Sequence, residues 1–304
     1  MSAKIEKVSL YGWENCYKLT NGSLEIVGTA DIGPRIIYFG EQGGKNLLKI
    51  FEEQAGKTND PTWQVYGGHR VWAAPEDPYF SYLPDNSKVE VTLEHTEGSV
   101  RFTRAADESG LERFMELRPD GGNGFVIRNQ ITNRAAKPIR AASWGITAFI
   151  PGGIGILPLA GGISGQTRLQ ANRRLNLWEY TDLTDSAFAW RSDGLCIFQA
   201  RAKNPQKVGT WLKEPVVAYL LEGKLITKRA SLPLTCGEEF PDQGSNVEVY
   251  FDPNLLELET LSAFRTLSPG ESVWHEETLG LKKIDDSLSP DAVIDNFLSE
   301  AKIK

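Results

Sequence analysis

The sequence predicts an all-β protein built as one large antiparallel sandwich. Three observations lead there. Short runs of alternating apolar and polar residues recur along most of the chain, the pattern of strands with one buried face. Gly, Pro, Asn and Asp punctuate those runs as turn signals. No strand–helix–strand alternation appears, which argues against a parallel doubly wound sheet. At 304 residues the chain can form one such domain. Residues 1–304 read as a single domain, with 285–304 as a C-terminal helical appendage.

The elements follow in order. Residues 16–20 and 24–28 flank Asn21-Gly22, a dipeptide that favours a type I′ hairpin turn. Residues 31–39 form a strand in which Pro34 supplies no N–H, so a bulge or an edge position is expected. Arg35 in that apolar run is either an ion-paired structural residue or a ligand contact. Residues 52–63 and 79–86 are polar or turn-rich and read as loops. Residues 88–118 alternate strongly and predict a meander with one wet face. His95, beside Glu94 and Glu97, reads as a surface residue. Residues 125–133 and the apolar run 139–150, with Trp144 and Phe149, are further strands. Strands resume near 195–200, 216–221 and 225–229. Helical periodicity appears only at the end. Ser289 can cap and Pro290 can sit in the first turn, and Val293, Ile294, Phe297, Leu298 and Ala301 form an apolar stripe that predicts packing against a sheet.

One stretch carries chemistry: Tyr66-Gly67-Gly68-His69-Arg70-Val71-Trp72-Ala73-Ala74-Pro75-Glu76. Two glycines permit close backbone approach or positive φ. His69 can move a proton near neutral pH. Arg70 offers a planar fork of donors, and Trp72 a flat apolar face. A small polar ligand needs such a mixture of apolar walls and aimed polar groups. The alternative is a structural turn with a buried, hydrogen-bonded histidine.

Composition excludes several classes. Hydrophobic residues at 40% and charged residues at 24% support a real core and exclude disorder. The net charge of −7, with no basic stripe interleaved with aromatics, argues against a nucleic-acid partner. Cys16, Cys196 and Cys236 form no CxxC pair, so neither a disulfide framework nor a thiolate zinc site is expected. The glycines after residue 151 follow neither nucleotide-binding arrangement. No HExxH spacing supports a metal, and no cofactor is expected. The charged first residues and the absence of long apolar runs predict no leader, no membrane span and a cytoplasmic location.

Residues 239–281 carry a resemblance. Phe240-Pro241-Asp242-Gln243-Gly244 leads into Val247–Phe251. Leu255-Leu256-Glu257-Leu258-Glu259-Thr260-Leu261 follows, then Leu267-Ser268-Pro269-Gly270-Glu271-Ser272-Val273-Trp274. This resembles the C-terminal half of the galactose-mutarotase-like (aldose 1-epimerase-like) proteins, a β-supersandwich superfamily that binds sugars. Ile32-Gly33-Pro34-Arg35-Ile36 with Asn46-Leu47-Leu48 resembles its opening strands. More narrowly, the chain resembles a branch of that superfamily with Gly-Gly-His-Arg-x-Trp near the start. The resemblance spans roughly residues 16 to 281.

It implies an antiparallel supersandwich and a small-molecule carbohydrate as partner. It also implies anomer exchange without a cofactor, with a glutamate taking the anomeric proton and a histidine protonating the ring oxygen. Glu259 resembles the family's late glutamate, with Glu257 a close competitor. Two apart in a strand, they share a face while Leu256 and Leu258 point to the core. Like charges on one face can raise a pKa toward general-base range. The family's mid-chain histidine is missing, because the matching segment reads Ser143-Trp144-Gly145. His69 would then serve as acid. Arg70 and Lys228 would position the sugar, and Trp72 or Trp144 would stack on it. Glu76 and Arg35 complete the expected contacts. His275 reads as structural or exposed. Two other readings stand beside the epimerase: a non-catalytic carbohydrate-binding protein, and a lyase or hydrolase on the same scaffold.

Overall fold

A computed structural model describes residues 4–96, 98–159, 171–232 and 238–303. The chain opens with a meander, β1 (Lys4–Leu10), β2 (Trp13–Asn21), β3 (Leu24–Thr29) and β4 (Arg35–Glu41), joined after a long loop by β5 (His69–Ala74). A second meander follows: β6 (Glu90–Glu94), β7 (Ser99–Arg104), β8 (Leu111–Pro119) and β9 (Gly124–Asn133). The long β10 (Ile139–Phe149) returns to the first sheet. Then come β11 (Ile154–Pro158), β12 (Asn176–Leu177), β13 (Phe188–Trp190), β14 (Gly194–Phe198), β15 (Gln206–Thr210), β16 (Val216–Leu221) and β17 (Lys224–Ser231). The last strands are β18 (Val247–Asp252), β19 (Leu255–Leu261), β20 (Arg265–Leu267) and β21 (Ser272–Lys283).

These strands make two antiparallel sheets. One has the order β1-β2-β3-β4-β5-β10-β19-β18-β15-β12, with β20 on the end of β10. The other runs β13-β14-β11-β16-β17-β21-β9-β8-β7-β6. The inner faces meet in one large apolar core that includes Phe39, Phe102, Phe125, Phe149, Phe251, Leu256 and Leu258. The expected sandwich and its alternating meander are therefore present. The C-terminal helix (Pro290–Ile303) lies on the outer face of the second sheet. Its stripe of Val293, Ile294, Phe297 and Leu298 packs on Ile156, Cys196, Val216 and Ala218. Ser289 Oγ accepts the Ala292 N–H at 3.2 Å, the N-cap that its position predicts. Among the described residues no helix is long and apolar enough to cross a membrane.

Two local expectations shift. Asn21 pairs with Leu24, so the hairpin turn is Gly22-Ser23. Only its first residue takes positive φ (Gly22, +60°), which places Gly where a II′ turn wants it. Pro34 precedes β4, whose bulge falls opposite Val27 and Gly28, and β4 lies inside the sheet between β3 and β5. Cys16 and Cys196 are buried free thiols, and Cys236 lies outside the described residues.

The Gly67-Gly68 pair is required twice over. Both residues take positive φ, +87° and +73°. A Cβ at either would sit 2.0 Å from a backbone carbonyl oxygen, of Lys49 and Ile36 respectively. Gly68→Ala is expected to destabilise the fold by about 3 kcal/mol, the sum of a strained backbone and a clash that backbone cannot relieve. The urea midpoint checks this, and an unchanged midpoint would refute it.

Candidate functional site

The outer face of the first sheet carries a cavity of about 510 Å³. Antiparallel pairing sets its floor, since cross-strand partners share a face. Arg70 (β5), Ile146 (β10), Glu259 (β19) and Glu248 (β18) form one row. Trp72, Trp144 and Leu261 form the row on one side. Glu257, Tyr250 and Lys207 form the row on the other. Loop residues Phe51, Trp63, Val65, Tyr82 and Tyr180 close the walls, with Glu76 exposed at the mouth. Trp63, Trp72 and Tyr82 pack on one another with ring centroids 5.2 to 5.6 Å apart, and Trp144 extends the wall from Trp72 at 5.5 Å.

The floor is charged and almost dry. Arg70 Nη1 donates to Glu257 Oε1 at 2.9 Å, and its guanidinium lies 4.6 Å from the Trp72 ring centroid. Lys207 Nζ lies 2.8 Å from Glu248 Oε2 and 2.9 Å from Glu259 Oε2. Trp144 Nε1 donates to the same Glu259 oxygen at 2.8 Å. Burial raises the Glu259 carboxyl pKa, with Lys207 pulling down and Glu257 pushing up. Burial also pushes Glu248 well above the usual carboxylate range, against Lys207. For Lys207 burial opposes the charge, but Glu248 and Glu259 outweigh it and hold the ammonium well above its ordinary value. Burial pushes the Tyr180 hydroxyl up to about 12, and with Glu76 it raises that of Tyr82 further. These phenols remain donors at neutral pH.

The structure brings together Arg70, Trp72, Glu76, Trp144, Glu257 and Glu259, and leaves three expected contacts elsewhere. His69 is fully buried on the opposite face of β5, between the sheets. Its Nε2 meets Asn129 Oδ1 at 3.1 Å and its Nδ1 meets Thr147 Oγ1 at 2.9 Å. This corrects the expectation that His69 faces the ligand, because adjacent residues of a strand point to opposite sides. Lys228 is also between the sheets. Its Nζ lies 3.0 Å from Glu277 Oε1 and donates to the carbonyls of Gly145 and Leu258 at 2.8 and 2.9 Å. It does not line the cavity. Arg35 is buried on Asp85 at 2.7 Å and on the carbonyls of Val65 and Gly67, so it braces the loop before β5. His275 is buried and meets Glu277 Oε1 at 3.3 Å. His95 is exposed.

Between the sheets, His69, Lys228, His275 and Glu277 therefore form one polar cluster beside Asn129, Thr147 and Thr260. Gly145 leaves room for it, since a Cβ there would meet Glu277 Oε1 at 2.2 Å. One arrangement of these hydrogen bonds suits a neutral His69. Lys228 donates to Thr147 Oγ1, the Thr147 hydroxyl donates to Nδ1, and Nε2–H donates to Asn129. Burial lowers the His69 pKa to about 4, against the pull of Glu277. The unfolded chain then takes up a proton near pH 6.5 that the folded chain refuses until about pH 4. Stability from this residue is present above pH 6.5 and is lost as pH falls toward 4. His69 is expected to cost the wild type about 3 kcal/mol over that window, with a shallower slope in His69→Gln. Parallel slopes in urea titrations would refute the assignment.

Sequence reasoning missed Lys207, Glu248, Trp63, Tyr82, Tyr180 and Tyr250. Glu248 and Tyr250 alternate with Val247, Val249 and Phe251, and that parity marks them as sharing a face. Nothing local marks Lys207, whose partners lie 41 and 52 residues away. Among the described residues no group of three or more His, Cys, Asp or Glu side chains is gathered as a metal ion would need.

No protein-family model matches the chain, and no curated protein matches it. Solved structures do. A galactose mutarotase-like protein from Clostridium acetobutylicum matches over 93% of this chain and 99% of its own, with a TM-score of 0.61 at 12% identity. One from Lactobacillus casei matches over 88% and 100%, with a TM-score of 0.59 at 8% identity. A putative aldose 1-epimerase from Escherichia coli matches over 89% and 99%, with a TM-score of 0.57 at 13% identity. At these identities the likeness establishes the fold.

Proposed function

On this galactose mutarotase-like scaffold, we propose that the cavity over Arg70, Trp144 and Glu257 binds a sugar or sugar derivative. One observation carries the reading: a wall of packed aromatic rings meets a floor of buried carboxylates and cations on one face of the sheet. Pyranose rings present apolar C–H faces and a rim of hydroxyls. Indole rings take the first, and paired carboxylate and guanidinium groups take the second.

A specific observation favours a second reading, an epimerase or mutarotase. Glu257 and Glu259 face the ligand space, and burial raises Glu259 toward a useful base. Glu257 is the better placed of the two, because Trp144 and Lys207 both occupy one oxygen of Glu259. The acid is then a different group from the family's histidine. The proton donors lining the cavity are the Lys207 ammonium and the phenols of Tyr82, Tyr180 and Tyr250. All are weak acids at neutral pH, which makes ligand binding the primary reading and anomer exchange the secondary one.

A thermal-shift panel of free sugars, sugar acids and sugar phosphates tests the binding. A ligand at ten times its Kd adds about 1.4 kcal/mol, a shift of a few degrees in a domain this size. The shift is expected to vanish in Trp72→Ala. NMR exchange spectroscopy on the hit then reports anomer exchange, and its loss in Glu257→Gln supports the enzymatic reading. A folded protein silent to every sugar refutes both.

A further inference from the structure

Within that sugar-binding reading, we infer that the preferred ligand carries a positive charge: an amine-bearing sugar, bound through the carboxylates of Glu257 and Glu76 and the aromatic wall. The geometry of charge in the cavity carries this. Both cations that line it are already held by protein carboxylates, Arg70 by Glu257 at 2.9 Å and Lys207 by Glu248 and Glu259 at 2.8 and 2.9 Å. Arg70 and Lys207 are about 95% buried. Among the described lining residues each cation already has a carboxylate partner, and Arg70 Nε, left without a partner, is buried.

The acceptors, by contrast, are in excess. Glu76, Asp252, Glu257 and Glu259 line the cavity against two cations, and Glu248 stands behind Lys207. Asp252 spends one oxygen on the turn at Asn254 and Leu255. Glu257 uses Oε1 for Arg70, and its Oε2 takes no hydrogen bond from a described residue. Glu76, exposed at the mouth, accepts from the Tyr82 hydroxyl and forms no ion pair with a described residue. An ammonium entering here meets carboxylate and the faces of Trp63, Trp72 and Tyr82, the pairing that aromatic sites use for cations. A phosphate would meet more carboxylates than cations, with both cations already paired, an arrangement that disfavours it.

Calorimetric titration of the full chain tests this with D-glucosamine, D-galactosamine and D-mannosamine. Each is run beside its parent hexose, its N-acetyl form and its 6-phosphate. The amine is expected to bind at least about tenfold more tightly than the parent and the N-acetyl form, as one charge-assisted hydrogen bond supplies. The 6-phosphate is expected to bind most weakly. The preference should shrink in Glu257→Gln and also in Glu76→Gln, whose exposed site leaves folding intact. Equal binding of hexose and amine overturns the inference and leaves the sugar reading standing. So does tighter binding of the 6-phosphate. No binding of any sugar overturns both.

Discussion

Glu277→Gln is expected to lower folding stability by about 3–5 kcal/mol, with Lys228→Met falling in the same range. Glu277 and Lys228 are both essentially fully buried, 3.0 Å apart, between two sheets whose other inward residues are mostly apolar. Burial alone opposes both charges. Lys228 and the flanking imidazoles nevertheless hold the Glu277 carboxyl well below the usual range. For Lys228 burial outweighs the pull of Glu277 and lowers the ammonium. One cation and one anion therefore share the layer while His69 stays neutral. Removing one charge strands the other. The Glu277→Gln variant keeps shape but leaves the ammonium with dipoles only, which depresses its pKa further. Its stability should then rise more steeply with pH toward 10 than that of the wild type. Urea unfolding at pH 7 and pH 9.5 measures both effects. The double variant Lys228→Met, Glu277→Leu should recover part of the loss, because the pair itself adds little over packed side chains. Strict additivity in the cycle closed by the Glu277→Leu single variant would show that the two charges are uncoupled.

How far the chain could be read from sequence depended on parity along each strand. In β19 the alternation of Leu256 and Leu258 with Glu257 and Glu259 assigned the faces correctly, because two apolar residues fixed which side was core. The same rule applied to β5 groups His69 with Val71 and Ala73, and Arg70 with Trp72. That grouping separates the histidine from the cavity. The signal was present, but proximity in sequence to Arg70 and Trp72 masked it. In β21, His275 and Glu277 alternate in step with Val273, Leu279 and Leu281, so an inward polar cluster was also legible. What sequence could not supply is the company each group keeps. The Lys207 to Glu259 contact spans 52 residues and Arg70 to Glu257 spans 187. Strand order sets those meetings, and local pattern carries no trace of them. The C-terminal helix was legible in full, because its cap and its stripe are both local.

Three properties meet at the Trp144 indole. One edge packs against Trp72, the Nε1–H donates to Glu259, and the ring lies 4.6 Å from the Lys207 ammonium. Trp144→Ala removes all three. It deletes part of the cavity's aromatic wall and leaves a hole, and it takes one of two donors from a carboxylate that is 1% exposed. Loss of a buried aromatic anchor of this kind is expected to cost about 2–3 kcal/mol of ligand binding, a 30- to 150-fold rise in Kd. Trp144→Phe separates the contributions. It keeps a ring against Trp72 and drops only the Nε1–H, so the rise in Kd should stay within about tenfold. The Glu259 carboxyl should then titrate still higher, since it loses a donor to its charged form. Carbon-detected NMR titration of Glu259 in the two proteins reads that shift directly. If Phe and Ala weaken binding equally, stacking contributes nothing and the indole serves Glu259 alone. If neither weakens binding, Trp144 is wall for the sheet and not for the ligand.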